Sequence, residues 1–332
     1  MRLATPFQDF IIRCVRYAFA NMPAFIGRVF FSKEVALPFL RFRMLRHGYL
    51  KCPIPWREIS MPYFKGVWIN SDASKKPDIV VYYCHGGGFA MGSSYFYMEF
   101  LLAWVALLHE AGFKNPALFA LDYTLVPDAV YPRQVHQTFA GYNYVLSIIE
   151  DPSRVCVAGD SAGSTLILSM LLVLAEDSDY LERLPRLAVM ISPWVTIISQ
   201  KNQNTRSDYL DQKTLDLYGR YYIGSKVSPH DPRVSPGECR DSNLWRRSTP
   251  SCGWFFLYGS EEVLAPECRN LIQMLEKSDA EVDVHEEQGS IHAWPVAALY
   301  LGETRDLRLQ GLRRIVHTMK ERFTDEARKR KN

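Results

Sequence analysis

Gly159-Asp160-Ser161-Ala162-Gly163 is the stretch whose reading decides the fold. It lies between the apolar run Arg154-Val155-Cys156-Val157-Ala158 and a second apolar run that begins Thr165-Leu166-Ile167-Leu168. That order predicts a strand, a sharp turn and a helix, with a serine at the apex. Small residues two positions to either side let the backbone turn tightly enough to push the serine out of the sheet. Ser161 is therefore the candidate nucleophile. The pentapeptide alone is weak, since ordinary Gly and Ser frequencies produce it by chance in about one chain in ten of this length. Its weight depends on what the flanking elements bring beside it.

Upstream, Asp78-Ile79-Val80-Val81-Tyr82-Tyr83-Cys84 is a near-continuous apolar run of the kind found in the middle of a sheet. It ends in His85-Gly86-Gly87-Gly88-Phe89. A helix over Tyr95 to Ala111 and a buried strand over Ala117 to Asp122 follow. Val135, Phe139, Tyr142, Leu146 and Ile149 then recur at helical spacing. Downstream of the serine, the helix over 163–175 is apolar nearly all round, which predicts burial, and Arg186 to Ser192 reads as a strand. Residues 195–250 are polar, with turn signals at Ser228-Pro229 and Ser235-Pro236-Gly237, and read as an insertion or a loop-rich segment. Order returns with a strand over Gly253 to Tyr258, a helix over Ala265 to Ser278, a short strand over Val282 to Val284, and a closing helix carrying Leu312, Ile315, Met319 and Phe323. Before all of these, residues 1 to about 50 read as two helices parted at Asn21-Met22-Pro23, with a strand over Tyr63 to Ile69. Strands alternating with helices predict an α/β fold with a mainly parallel, doubly wound sheet.

A serine hydroxyl becomes a useful nucleophile when a base takes its proton and a carboxylate orients the base. In an open α/β sheet these groups stand past the carboxyl ends of strands. The strand ending at Tyr258 runs into Gly259-Ser260-Glu261-Glu262, and the strand at 282–284 leads to His292. The order Ser, acid, His is the one an α/β-hydrolase requires. His292 is the candidate base, His285 being still within the strand's end; Glu261 and Glu262 both remain open as the acid. His85-Gly86-Gly87-Gly88 offers a backbone free of side chains that a substrate can approach. No Lys-Ser/Thr follows it and it lacks G-x-G-x-x-G spacing, so it is not a phosphate loop. It reads as an oxyanion loop, whose N–H groups are typically worth about 3 kcal/mol each.

The length of 332 residues allows one large domain with insertions or two smaller ones. A formal charge of +3 gives no nucleic-acid footprint, and 13% aromatic residues suggest a generous core or pocket. The seven cysteines are scattered without C-x-x-C pairs, which argues against zinc or a disulfide framework and for a reducing compartment. No metal or cofactor is expected. Cys84 and Cys156 fall inside strands as small hydrophobes. Phe10 to Phe31 is rich in apolar residues, but Arg13, Arg16 and Arg28 interrupt it and Pro23 breaks it, so it falls short of a spanning helix. No cleavage site of the secretory type is seen. The segment is expected to be an amphipathic helix packed on the body, the rival being a helix lying on a membrane surface. The expected location is accordingly the cytoplasm, with the surface of the endoplasmic reticulum membrane as the variant. Arg328-Lys329-Arg330-Lys331 reads as a solvated helix end. The oligomeric state is left open.

With these parts assembled, the chain resembles the hormone-sensitive-lipase branch of the α/β-hydrolase superfamily. The resemblance rests on His85-Gly86-Gly87-Gly88 and Gly159-Asp160-Ser161-Ala162-Gly163. Asp122-Tyr123 with Leu125 and Pro127, Tyr131-Pro132, Ser192-Pro193-Trp194, and Asp231-Pro232 with Val234-Ser235-Pro236 also match, so that it covers residues from about 78 to 300. Within the branch the chain is similar in general character to fungal esterases and deacetylases of sterol esters or secondary metabolites. The resemblance implies the α/β-hydrolase fold, a mostly parallel central sheet with helices on both faces and a helical cap. It implies Ser161 as nucleophile, His292 as base, and the N–H groups of Gly87, Gly88 and Ala162 as the oxyanion hole. The family's acid is usually Asp in G-x-x-D with Leu two residues on. Here that pattern reads Gly259-Ser260-Glu261-Glu262-Val263-Leu264, so Glu262 takes the place and Glu261 is the alternative. Ser164 stands where Gly is usual, and is expected to narrow the helix–strand packing or to offer a hydroxyl near the site.

By the same resemblance, residues 1–50 supply N-terminal cap helices, and residues 51–330 form the catalytic domain with 195–245 as a cap insertion. Tyr209, Tyr218, Tyr221, Tyr222 and Trp245 are expected to pack that cap, and with Tyr95, Phe96 and Tyr97 to favour an apolar pocket. The expected activity is cofactor-free hydrolysis of a carboxylic ester, acetyl esters included, of a hydrophobic small molecule through an acyl-enzyme. The alternatives are an acyl-transfer, lactonising or amide-cleaving enzyme of natural-product biosynthesis on the same residues, and a non-catalytic ligand receptor. Plant gibberellin receptors resemble the family but lack the catalytic His, whereas His292 is in place here.

Overall fold

A hairpin of β1 (Trp56–Ser60) and β2 (Lys65–Asn70), paired from Trp56↔Ile69 to Ser60↔Lys65, forms one edge of an eight-stranded sheet. The remaining strands are β3 (Ile79–Cys84), β4 (Pro116–Asp122), β5 (Val155–Asp160), β6 (Leu187–Ile191), β7 (Trp254–Gly259) and β8 (Val282–Glu287). Their spatial order is β1-β2-β4-β3-β5-β6-β7-β8. β2 runs antiparallel to β4, and every pairing from β4 to β8 is parallel. The structure, a computed structural model, describes residues 5–324. The basic run Arg328–Lys331 lies outside the described residues.

Side chains of a strand alternate between the two faces of a sheet. Val80, Tyr82 and Cys84 of β3 accordingly enter one apolar cluster, and Ile79, Val81 and Tyr83 enter another. A strand buried on both faces must be apolar throughout, which is why β3 reads as an unbroken run. The chain leaves β3 in one direction to make β4 and returns on the other side of β3 to make β5. The crevice between the carboxyl ends of β3 and β5, where Cys84 pairs with Gly159, is thus the topological switch point, the usual place for a ligand in such a sheet.

Three helices precede the sheet: α1 (Pro6–Asn21), α2 (Ala24–Phe30) and α3 (Lys33–Arg46). The break at Met22-Pro23 falls where the sequence places it, and a second break at Phe31-Ser32 divides what reads as one helix. α1 opens on a capping box in which the Thr5 hydroxyl accepts from Gln8 N–H and the Gln8 side chain accepts from Thr5 N–H. α4 (Met98–Glu110), α5 (Arg133–Ile149) and α6 (Ala162–Glu176) follow their strands as expected. α6 is enclosed by the sheet, by α5 and by α8 (Ser242–Ser248), so its apolar all-round surface is buried. Each fully buried Leu or Ile there contributes about 2 kcal/mol relative to an exposed one.

The polar stretch 195–250 is less irregular than it reads. It contains α7 (Gln212–Ile223), capped by the Asp211 carboxylate accepting from Thr214 N–H at 3.0 Å, as well as α8. α8 packs against α6 and α9 (Ala265–Lys277) on the body. α10 (Trp294–Leu301) follows β8, and α11 (Arg305–Phe323) closes the chain with Leu312, Ile315 and Met319 buried. α10 has no apolar periodicity to announce it.

Candidate active site

The turn at Ser161 can be derived from contacts. A Cβ at Gly163 would lie 2.0 Å from the Cys84 carbonyl oxygen, and one at Gly159 would lie 2.6 Å from the Gly163 carbonyl carbon. Helix α6 and strands β3 and β5 therefore meet this closely only with glycine at both places. Ser161 itself takes φ 51° and ψ −120°, a strained conformation held from both sides: its N–H donates to Ile191 C=O at 3.0 Å, and its C=O accepts from Trp194 N–H at 3.2 Å. The Ser164 hydroxyl donates to Gly159 C=O at 2.6 Å, so this departure from the usual glycine braces the turn and offers nothing to the cavity.

Immediately after β3, Gly87 and Gly88 adopt φ 105° and 62°. A Cβ at Gly87 would lie 2.2 Å from the Met91 carbonyl oxygen, and one at Gly88 would lie 2.8 Å from the Tyr218 ring. Among the described residues, the N–H groups of Gly87, Gly88 and Ala162 have no protein acceptor. The loop is fastened to the serine turn by Asp160, a buried carboxylate that sequence reasoning treats as a spacer. It accepts from Gly86 N–H at 2.7 Å, Tyr83 O–H at 2.6 Å and Tyr97 O–H at 2.7 Å. Burial pushes the Asp160 pKa up, against the pull of those two phenol donors. His85 is fixed by stacking on Tyr123 at 4.4 Å and by Nδ1 at 2.7 Å from Gly86 C=O, and burial pushes its pKa down.

Glu262 and His292 meet although 30 positions part them. Glu262 follows β7 and His292 follows β8, and both side chains are buried, with His292 Nδ1 3.4 Å from Glu262 Oε2. The contact falls short of a hydrogen bond, and neither atom has a hydrogen-bond partner among the described residues. Such contacts commonly tighten when substrate binds. Burial acts most strongly on both groups: it raises the Glu262 pKa, and it would lower that of His292. The adjacent carboxylate of Glu262, with smaller contributions from Asp208 and Asp160, outweighs burial and holds the His292 pKa above its ordinary value. Glu261 is exposed, and its backbone donates to Ser290 C=O at 3.1 Å; it is Glu262 that stands beside the imidazole.

A further buried carboxylate was not legible in sequence. Asp208 accepts from Tyr209 N–H at 2.9 Å, from His292 N–H at 3.0 Å and from Val263 N–H at 2.8 Å, so one side chain ties the loop of the base to the loop of the acid. Its own carbonyl and that of Arg206 accept from the Arg16 guanidinium on α1. Asp208→Asn must turn an amide N–H₂ toward one of those N–H donors, and an unsatisfied buried donor costs about 1–3 kcal/mol. The expected result is a lowered Tm, a kcat/KM reduced by about ten- to a hundredfold, and an acid limb moved slightly to lower pH because one of the lesser charges that raise the His292 pKa is gone. A variant that loses Tm but keeps kcat and the pH profile would leave Asp208 a purely structural brace.

Ser161, Gly86, Gly87, Gly88, Asp160, Tyr209 and His292 share the wall of one cavity of about 610 Å³. Its remaining lining is almost wholly apolar, with Ile11, Val15 and Phe19 from α1, Phe30 from α2 and Phe39 from α3. Tyr209 packs edge-on to His292 at 5.8 Å, Tyr218 edge-on to Phe19 at 5.9 Å, and Tyr222 stacks on Phe89 at 3.8 Å. Phe96 and Tyr97 also line the cavity; Tyr221 is exposed, and Trp245 packs on Trp254 in the body. Among the described residues, no three His, Cys, Asp or Glu side chains converge as metal ligands. The arrangement can place an apolar ester with its carbonyl between a serine, an imidazole and a row of free N–H groups.

Residues 81–296 match the family model described as alpha/beta hydrolase fold. The "Acetyl-hydrolase" of Streptomyces hygroscopicus is 31% identical over 251 residues, covering 74% of this chain and 77% of that enzyme. "Steryl acetyl hydrolase 1" of Saccharomyces cerevisiae is 26% identical over 266 residues, 70% of this chain but only 60% of its own length. Among solved structures, an esterase from the bacterial hormone-sensitive lipase family superposes with a TM-score of 0.72 at 22% identity, over 97% of this chain and 100% of that one.

Proposed function

This chain belongs to the alpha/beta hydrolase fold family, and on that premise we propose that it is a carboxylic ester hydrolase that removes short acyl groups, acetyl above all, from a hydrophobic alcohol. The observation that carries the reading is the common cavity wall of Ser161, His292 and the Gly87–Gly88 loop, with Glu262 buried behind the imidazole. Ser161 Oγ attacks the ester carbonyl while His292 Nε2 takes its proton. The oxyanion that forms is received by the N–H groups of Gly87, Gly88 and Ala162, which among the described residues have no protein acceptor to give up. His292 passes the proton to the departing alkoxide, and the alcohol leaves the acyl group on Ser161. A water molecule, deprotonated by His292, then attacks the acyl carbon and releases the acid and the serine.

Apolar walls and a volume within the range of pockets for drug-sized ligands support a bulky hydrophobic alcohol. The acetyl preference is supported by the names of the relatives, "Acetyl-hydrolase" and "Steryl acetyl hydrolase 1". Residues 1–50 and the 195–245 segment act in this reading as the cap that selects the alcohol. A fluorophosphonate probe is expected to add its mass once, at Ser161. Across p-nitrophenyl esters, acetate is expected to exceed the longest acyl chains by about tenfold or more in kcat/KM. Absence of labelling on folded protein would remove the serine mechanism; preference for long chains would remove the deacetylase assignment.

A further inference from the structure

Large apolar side chains scattered singly on a surface need no explanation, whereas a contiguous exposed patch does. Fifteen of the twenty-two exposed large hydrophobic side chains among the described residues fall between Phe7 and Leu50. They lie on successive helices in stripes. α1 presents Phe7, Phe10 and Tyr17, α2 presents Phe25, Ile26 and Val29, and α3 presents Val35, Phe42 and Leu45. The exposures are high for such residues: Phe7 65%, Phe25 65%, Val29 62% and Phe42 59%. Folding has had every opportunity to turn these stripes inward, and it has buried Ile12, Ala36 and Leu40 from the same helices instead.

Two further observations say what covers this face. The first is charge. Residues 1–51 hold nine Lys and Arg against two Asp and Glu, leaving the remainder of the +3 chain at −4. Arg41 and Arg46 are exposed on α3 and have no carboxylate partner among the described residues. The second is continuity with the cavity. Val15, Met22, Phe30 and Phe39 are exposed and also line the cavity that holds Ser161. Its mouth therefore opens within the patch. A protein partner or a second copy seated there would stopper the mouth, whereas a fluid surface of acyl chains would fill it with substrate.

We propose that the outward face of α1, α2 and α3 docks on a membrane containing anionic lipid, with the cavity mouth facing the acyl chains. Aromatic and aliphatic side chains enter the interface and the basic residues meet the headgroups, the arrangement of a protein that lies on a membrane without crossing it. Among the described residues, no helix is long and apolar enough to span a bilayer. A hydrophobic ester dissolved in the bilayer then reaches Ser161 without passing through water. This goes beyond the esterase reading and does not depend on it.

Flotation of the full chain with vesicles of phosphatidylcholine and phosphatidylserine in about a 3:1 ratio tests the proposal. The wild type is expected to float with the vesicles and to be released progressively by salt. The triple variant Phe10→Ser, Phe25→Ser, Phe42→Ser touches none of the cavity lining and is expected to keep the wild-type Tm while its partitioning falls by about a hundredfold. Wild type remaining in the aqueous fraction, or a folded variant that floats equally well, would overturn the proposal. So would a lipid-free wild type that self-associates and is dispersed by the same three substitutions, since the face would then belong to a second copy. Flotation needs no turnover, so it stands or falls separately from the assignment of Ser161.

Discussion

Ser161→Ala is expected to lower kcat by about a million-fold while leaving the fold intact. The reason lies in what the substitution removes and what it keeps. It deletes one oxygen, the atom that would form the acyl bond, and retains the Cβ and the backbone at φ 51°. Alanine at positive φ bears the same steric strain that serine already bears, so the turn loses no more than a buried hydroxyl. The N–H groups proposed as oxyanion donors and the cavity remain, and they are expected to leave a residual acceleration of about 10³–10⁴ over water. Initial rates on p-nitrophenyl acetate, beside thermal unfolding, check this. Retention of more than about a hundredth of the wild-type rate would mean that another group attacks the ester.

The second large effect is expected from Glu262→Gln, about 10⁴-fold in kcat together with a displaced pH profile. In the proposed mechanism the carboxylate, 3.4 Å from His292 Nδ1, takes a hydrogen bond from that nitrogen and so keeps the proton off Nε2, the atom proposed to take the proton of Ser161. An amide can present N–H₂ to Nδ1 instead, which moves the imidazole proton to the wrong nitrogen. The pH dependence follows from the sign of the shift. His292 acts as a base only when neutral, and its pKa lies above the ordinary 6.5 because Glu262, chiefly, outweighs burial. Wild-type kcat/KM must therefore rise with pH through a value above 6.5. With Glu262 neutralised, burial prevails and the acid limb moves downward. A glutamine variant within tenfold of wild type, or one whose acid limb stays in place, would deny Glu262 this role.

The parts of the fold that were legible in sequence share one physical trait: local pattern and tertiary environment agree. β3 and β5 are apolar throughout because both faces are covered, and α6 is apolar all round because it is enclosed. The serine turn and the glycine loop declare themselves because backbone approaches of 2.0–2.6 Å to a Cβ forbid any side chain at Gly87, Gly159 and Gly163. α10 and the division between α2 and α3 did not declare themselves. α10 has no polar face, and the second break rests on Phe31-Ser32, with no proline or glycine to mark it. Asp208 was the larger omission. In Arg206-Ser207-Asp208-Tyr209 it reads as one more solvated acid, and its role exists only once segments at 208, 263 and 292 are brought together in space. Asp160 is hidden differently: within the pentapeptide nothing local distinguishes it from a spacer, and its partners Tyr83, Gly86 and Tyr97 come from other elements.

The grip of Arg16 on the carbonyls of Arg206 and Asp208 bears on how such an enzyme can be rebuilt. Because α1 lines so much of the cavity, it is the obvious part to exchange for a new substrate range. Yet the residue it holds also sets the backbone of His292 and Val263. Roof and machinery are therefore not separable modules. A transplanted N-terminal helix inherits the chemistry only if it carries a guanidinium to the same two carbonyls, and a library built on α1 should vary Ile11, Val15 and Phe19 around a fixed Arg16.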